Sequence, residues 1–319
     1  MHNNLFFGID VGNTKLAFGI ARGDEREFLE KKVVPTEPHL GPEQAVNKIL
    51  NQGRVMLAGK QSCLGGIGIA FGGFVDVNRA VALASPNFPG LKNIPLVEIV
   101  RELAPGVSVR MDNDANVAGV GESLYGKGKD HHHIIYLTIS TGIGGAVLFG
   151  GKPLAGSQGL AAEFGHMIVK PRGPRCTCGS RGCLEAIASG TSIARMARNV
   201  AAKSDSLITK LAGRREAITA AHVFMAARRG DVVAQNIIDE VAYYLGIGLA
   251  NIISGWDPDI VVLGGGVMNS SDLLLPPAIS VVKEHLEVRD AKVPPIEASD
   301  IHDDVALWGA VALARGNIG

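Results

Sequence analysis

Four side chains of metal-binding type fall within eighteen positions: His166, Cys176, Cys178 and Cys183. One imidazole and three thiolates form a set that suits tetrahedral Zn2+. Gly173, Gly179 and Gly182 allow the tight path such a knot needs. In a chain without a visible export signal, clustered cysteines point to metal rather than to disulfides. The plainer alternative is a loop of reduced cysteines. Four protein ligands leave no position for water, so the expected role is structural. The remaining cysteine, Cys63, stands alone before Leu64-Gly65-Gly66 and reads as a small buried apolar residue.

Phosphate chemistry is suggested elsewhere. No Walker A loop is present: Gly53 to Lys60 has five residues between its glycines and Gln61 after the lysine, where the pattern needs four and then Ser or Thr. Instead there are two Gly-rich turns, Asp10-Val11-Gly12-Asn13-Thr14-Lys15 and Ser140-Thr141-Gly142-Ile143-Gly144-Gly145. Backbone N–H groups in such turns can converge on phosphate oxygens. Asp10 could hold Mg2+ and Thr14 or Lys15 could touch phosphate. Either loop alone could be a plain turn; the pair makes that reading weaker. Asp112-Asn113-Asp114-Ala115-Asn116 follows an apolar strand and opens a helix. A carboxylate there could accept the proton of an attacking hydroxyl, or Asp114 could simply cap the helix. Glu163, three residues before His166, and Glu185, two after Cys183, are tied to the cysteine knot. They could read sugar hydroxyls or be ordinary surface carboxylates.

The elements that must position these groups alternate between strand and helix. Strands are expected at Leu5–Ile9, Leu16–Ile20, Gly66–Ala70, Val107–Met111, Ile134–Ile139, Ala146–Phe149 and Ile260–Leu263. Helices are expected over 43–51, after Asp114 through Leu124, over 231–253 and over 304–315. In the 231–253 segment Ile237, Ile238, Val241, Leu245, Leu249 and Ile252 recur at helical spacing, and Asp257-Pro258 stops it. This alternation predicts α/β architecture. Two hairpins, each with a Gly/Thr turn, make a structural echo rather than a tandem repeat.

The 319 residues allow two domains. Lys plus Arg and Asp plus Glu are equal at 31 each, which argues against a protein-wide nucleic-acid surface. The apolar run at Leu5–Ile9 is short and lacks the basic start of a signal peptide. Other apolar stretches meet charges or glycines well before 18 residues. The expectation is a cytoplasmic protein with no membrane partner.

Taken in order, Asp10-x-Gly12-x-Thr14-Lys15, Asn113-Asp114-Ala115-Asn116, Glu163-Phe164-Gly165-His166 and Cys176-x-Cys178-Gly179-x-x-Gly182-Cys183-x-Glu185 resemble the motifs of ROK-family sugar kinases. The resemblance runs from about residue 5 to about 315, with bacterial N-acetylglucosamine kinases and ROK glucokinases the nearest types. It implies an actin-like, RNase H-like ATPase fold. One α/β domain spans 1–117 plus 303–319, a larger one with the zinc loop spans 118–302, and a cleft lies between them. It implies ATP-dependent phosphorylation of a hexose or N-acetylhexosamine at the 6-hydroxyl, with fructokinase, N-acetylmannosamine kinase and allose kinase as alternatives. Asp114 would be the base. Asn87, Asn113, Glu163, His166 and Glu185 would hold the sugar, His166 also serving zinc. Asp10, Gly12, Thr14, Lys15, Thr141, Gly142 and Gly144 would face the phosphates and Mg2+, and Gly265 and Gly266 the adenosine. A homodimer is implied. The family also includes transcriptional regulators, which carry a helix-turn-helix segment ahead of the core; a first phosphate loop at Asp10 leaves no room for one. Asn13, where many relatives have Gly, and Gly72-Gly73-Phe74, where relatives often have Pro-Gly-Pro, depart from the pattern and bear on substrate choice.

Overall fold

The computed structural model describes residues 4–22, 26–85, 88, 90–201, 206–287 and 292–316. Asn87, expected at the sugar, lies outside the described residues.

Near-continuous apolar runs, buried in the first two strands, begin an antiparallel meander: β1 (Leu5–Val11), β2 (Lys15–Arg22) and the more exposed edge strand β3 (Phe28–Pro35). Helix α1 (Pro42–Leu57) then returns the chain to β4 (Leu64–Phe71), which lies parallel to β1. A small hairpin, β5 (Phe74–Asp76) with β6 (Val81–Ala84), and helix α2 (Leu96–Arg101) precede β7 (Val109–Asn113), parallel to β4. The first sheet therefore has the order β3-β2-β1-β4-β7. Helix α3 (Asp114–Tyr125) leads away from it.

The same order is then built again. Strands β8 (His133–Ile139), β9 (Ile143–Phe149) and β10 (Lys152–Pro153) are followed by α4 (Glu185–Ala188), α5 (Gly190–Ala201), α6 (Leu207–Ala212), α7 (Ala220–Arg228) and α8 (Val232–Trp256). Strand β11 (Ile260–Gly264), helix α9 (Ser271–Glu287) and strand β12 (Ile296–Ala298) complete a sheet of order β10-β9-β8-β11-β12, and α10 (Val305–Arg315) ends the described chain. The echo of two hairpins seen in the sequence is thus part of a repeat of whole sheets.

The chain divides into two compact units. One comprises Met1–His132, Ala146–Ala161 and Asp303–Gly319; the other comprises His133–Gly145 and Ala162–His302. The boundary anticipated at 117/118 falls inside α3. That helix stays whole in the first unit because it packs along α10: an added Cβ at Gly309 would lie 1.8 Å from the Val117 carbonyl oxygen. Helix α10 also lies against β4, where a Cβ on Gly68 would meet the Ala310 oxygen at 1.9 Å. The opposite face of the sheet buries Phe7, Ile9, Phe18, Ile67, Ile69 and Phe71.

In the second unit α8 carries the expected stripe, with Ile237, Ile238, Val241, Leu245, Leu249 and Ile252 all buried. The helix stops where Asp257 turns left-handed at φ 44°, its N–H donating to the Ile253 carbonyl. By length and hydropathy α8 could cross a membrane, but 61% of its apolar window is buried within the protein, as in a core helix. Cys63 contradicts its expected burial. It ends a short 3-10 turn, Gln61–Cys63, that holds it exposed before β4 begins.

Candidate active site and metal centre

In the first unit the parallel strands β1, β4 and β7 bring their carboxyl ends to one edge, where ligands of open α/β sheets collect. The register sets Asp10 beside Ala70 and Ala70 beside Asp112. Asp10 is 7% exposed, and burial pushes its carboxyl up to about 7, with the charge of Asp114 adding, Lys15 opposing and Asp304 adding. The first glycine turn is braced from β3: the buried Thr36 donates its hydroxyl to the Gly12 oxygen at 2.8 Å and its N–H to the Thr14 oxygen at 3.2 Å. Thr14 is exposed, and Lys15 Nζ donates to the Asp303 carbonyl at 3.2 Å. An ammonium has three donors, so this contact does not use up the lysine.

The question of whether Asp114 caps α3 is answered by its neighbour. Asn113 is the cap: its Oδ1 accepts from the N–H of Ala115 at 2.9 Å and of Asn116 at 3.4 Å, and its Nδ2 donates to the Gly73 oxygen at 3.0 Å. Asp114 is the first helical residue, half-buried, with Oδ1 accepting from the Ala115 N–H at 2.9 Å. Beneath them Asp112, whose carboxyl burial pushes up, accepts from Asn116 Nδ2 at 3.2 Å and from the Asn113 N–H at 2.6 Å. Asp112 and Thr36 are supports that sequence reasoning missed. Thr36 directly follows β3, a strand with no clean alternation, and the bracing role of Asp112 depends on which way its side chain turns.

In the second unit the four metal-type residues converge. The His166, Cys176, Cys178 and Cys183 ligand atoms all lie within 4.8 Å of one another. Cys178 and Cys183 sulfurs are 3.7 Å apart, and Cys176 Sγ lies 3.7 Å from His166 Nδ1. Ligand bonds of about 2.3 Å to sulfur in a tetrahedron separate two sulfurs by about 3.8 Å. The cluster therefore fits a four-coordinate ion. Burial raises the Cys183 thiol, an effect that a cation beside the sulfur opposes.

The other face of His166 is turned to Glu163, with Nε2 3.7 Å from Oε2. Desolvation pushes the Glu163 carboxyl up, His166 opposing and Glu185 adding. The 3-10 turn Phe164–His166 sits tight against the start of β9, since a Cβ on Gly165 would lie 2.2 Å from the Ile143 oxygen. Glu185, the first residue of α4, reaches both sides: Oε1 accepts from Thr177 Oγ1 at 3.3 Å and Oε2 from the Ile143 N–H at 3.0 Å. Thr141 and Gly142 lie in the turn that this contact holds; Gly144 falls in β9, which begins at Ile143 rather than at the expected Ala146. Gly265, at φ 88°, lies close to the end of β8, where a Cβ would meet the Ile139 oxygen at 2.5 Å; Gly266 follows it. Asp10, Gly12, Thr14, Lys15, Asn113 and Asp114 thus belong to the first unit, and Thr141, Gly142, Gly144, Glu163, His166, Glu185, Gly265 and Gly266 to the second.

Comparison with known proteins agrees with the motifs. The model of the ROK family matches residues 6–317. A glucokinase of Thermotoga maritima is 37% identical over 98% of each chain. An N-acetylmannosamine kinase of Escherichia coli O157:H7 is 33% identical over 97% of each. Among solved structures, a ROK family glucokinase from Streptomyces griseus in complex with glucose and AMPPNP superposes with TM-score 0.84 at 34% identity, covering 98% of this chain and 100% of that one. The architecture is the two-domain actin-like ATPase fold of ROK sugar kinases. With its paired sheets, its two glycine turns and its Cys3His knot in sequence order, this chain belongs to the ROK family.

Proposed function

We propose that this protein is an ATP-dependent sugar kinase that phosphorylates the 6-hydroxyl of a hexose or N-acetylhexosamine, with glucose the first candidate. The observation that carries the reading is the division of labour at the head of α3. Asn113 takes the capping role, and Asp114, the first residue of α3, stands where β7 ends, close enough to Asp10 for their charges to interact; this supports Asp114 as the base. Glucokinase relatives at 35–37% identity over nearly the whole chain favour glucose, and the N-acetylmannosamine kinase relative keeps the amino sugars in the panel.

In this mechanism Asp114 accepts the 6-hydroxyl proton as that oxygen bonds to the γ-phosphorus. The bond from the γ-phosphorus to the bridging oxygen breaks, and ADP leaves. Asn113, Glu163, His166 and Glu185 hold the sugar, with Asn87 assigned by resemblance. The turns at Gly12–Thr14 and Thr141–Gly144 present N–H groups to the phosphates, Gly265 and Gly266 pass the adenosine, and Lys15 adds positive charge. Mg2+, held by Asp10, would offset phosphate charge. Zn2+ on His166, Cys176, Cys178 and Cys183 would keep the ring of His166 and the backbone around Glu185 in place. A cytoplasmic homodimer without a nucleic-acid partner completes the proposal.

The deciding experiment is ADP release across a panel of glucose, N-acetylglucosamine, N-acetylmannosamine, fructose and allose, with metal content measured on the same sample. Asp114→Asn should lower kcat by about a hundredfold to ten-thousandfold, while sugar affinity by calorimetry changes little. A variant turning over near the wild-type rate would sink the assignment of the base.

A further inference from the structure

The metal knot and the second glycine turn are joined by one carboxylate. Thr177 lies between the ligands Cys176 and Cys178, and its hydroxyl donates to Glu185 Oε1 at 3.3 Å. Glu185 itself is two residues past the ligand Cys183. Its Oε2 accepts from the N–H of Ile143 at 3.0 Å, at the point where the turn after β8 becomes β9. The approach is close enough that a Cβ on Gly142 would lie 2.5 Å from Oε2. The same turn is held at its other end by the N–H of Gly190, which donates to the Ser140 oxygen at 2.7 Å, and Ser192 Oγ donates to the Glu185 carbonyl at 2.8 Å.

We infer that Glu185 and Thr177 are positioning residues that carry the state of the metal knot to the nucleotide-binding turn. Metal occupancy then sets phosphate affinity as well as the sugar side. The inference rests on the reading of 140–145 as a phosphate turn. Its physical basis is geometric. A bound ion fixes Cys176, Cys178 and Cys183, and with them the Thr177 hydroxyl and the backbone leading to Glu185. A carboxylate so anchored holds the Ile143 N–H in one direction, and through it the orientation of the Thr141–Gly144 backbone. Losing the ion frees both anchors together. Cys176 Sγ also lies 3.7 Å from Glu185 Oε1; a carboxylate offers about four acceptor directions, so these three contacts leave Glu185 able to meet a sugar hydroxyl as well.

The test is hydrogen exchange resolved at the Ile143 amide in the full-length, metal-loaded protein without nucleotide, alongside KM for ATP and for sugar. Thr177→Val keeps every metal ligand and side-chain volume but removes the donor; Thr177→Ser restores it. The expected result is faster Ile143 exchange in Thr177→Val, by about tenfold, with matching rises in KM for ATP and for the sugar that Glu185 also serves, and recovery in Thr177→Ser. Chelation of the wild type should accelerate the same amide beyond its neighbours in β9. Ile143 exchange that is indifferent to Thr177→Val, or that changes only in step with the whole second unit, overturns the coupling. Turnover without the amide effect also overturns it. The amide effect in a protein that phosphorylates no sugar would uphold the coupling and remove the kinase reading instead.

Discussion

At Asn113 and Asp114 one peptide bond separates a helix cap from the carboxylate assigned to proton transfer. Asn113→Ala should cost about 1 kcal/mol of stability by urea unfolding, because the Asn116 N–H loses its acceptor and the Ala115 N–H keeps only the Asp114 carboxylate. Asn113→Asp should recover most of it; equal losses in both would refute the capping role. Asp10 makes a different prediction. Its carboxyl titrates at about 7 in the folded protein against 3.8 in the reference state, chiefly because it is buried. The folded protein therefore keeps a proton that the unfolded chain has given up, over the window from about pH 4 to pH 7. That contribution to stability is complete below about 3.8 and is lost as pH rises through about 7. Asp10→Asn never ionises, so its stability relative to wild type should rise by about 2–4 kcal/mol between pH 4 and pH 8 without nucleotide or divalent ions. Parallel pH profiles for the two proteins would contradict this.

Helix α10 and the elements beneath it explain part of the glycine content. At Gly68 and Gly309 there is no room for a methyl group against the Ala310 and Val117 carbonyl oxygens. Gly68→Ala and Gly309→Ala should each destabilise by about 1–3 kcal/mol or more, through forced backbone shifts. Gly255, exposed in α8 with nothing within 4 Å of an added methyl, is the control: Gly255→Ala should be neutral or stabilising by up to about 1 kcal/mol. Thermal melts of the three variants read the contrast directly. Strand β3 shows why some elements escape sequence reading. It is the edge of its sheet, with Leu29 and Val33 exposed, so the period-two signal is blurred. Its place is set by distant partners: Phe28 stacks on Trp308 at 3.9 Å between ring centroids. Helix α9 escapes for another reason, since Pro276 and Pro277 lie inside it where the sequence suggests a break.

For the molecule as a whole, the chain leaves its first unit and comes back to it. Asp303–Gly319 belongs with residues at the other end of the sequence, and α10 packs on β1, β4 and α3. Deleting 303–319 should expose the apolar face of the first sheet. The expected outcome is rapid proteolysis within Leu5–Tyr125 and loss of the cooperative unfolding step assigned to the first unit. A truncated protein as protease-resistant as the full chain would show that the return is dispensable.

The His166, Cys176, Cys178 and Cys183 cluster, the two glycine turns and a polar helix start at Asn113-Asp114 were legible in the sequence because each is local, its residues close enough along the chain for type and spacing to speak. The knot needs only eighteen positions, and the structure draws its four ligand atoms within 4.8 Å as the spacing implied. The long amphipathic helix was legible too, because its stripe repeats through several turns. Other features depended on contacts between distant segments. Tertiary structure decided that Thr36 braces the first turn, that Asp10 and Asp112 flank Ala70, that Asn113 rather than Asp114 caps α3, and that Cys63 stays exposed. It also set the course of Glu185, which links the knot to Ile143 across 42 positions of sequence. Parallel strands pair only through long crossovers, and a side chain's partner across such a crossover is fixed by packing and register, which no local spacing encodes.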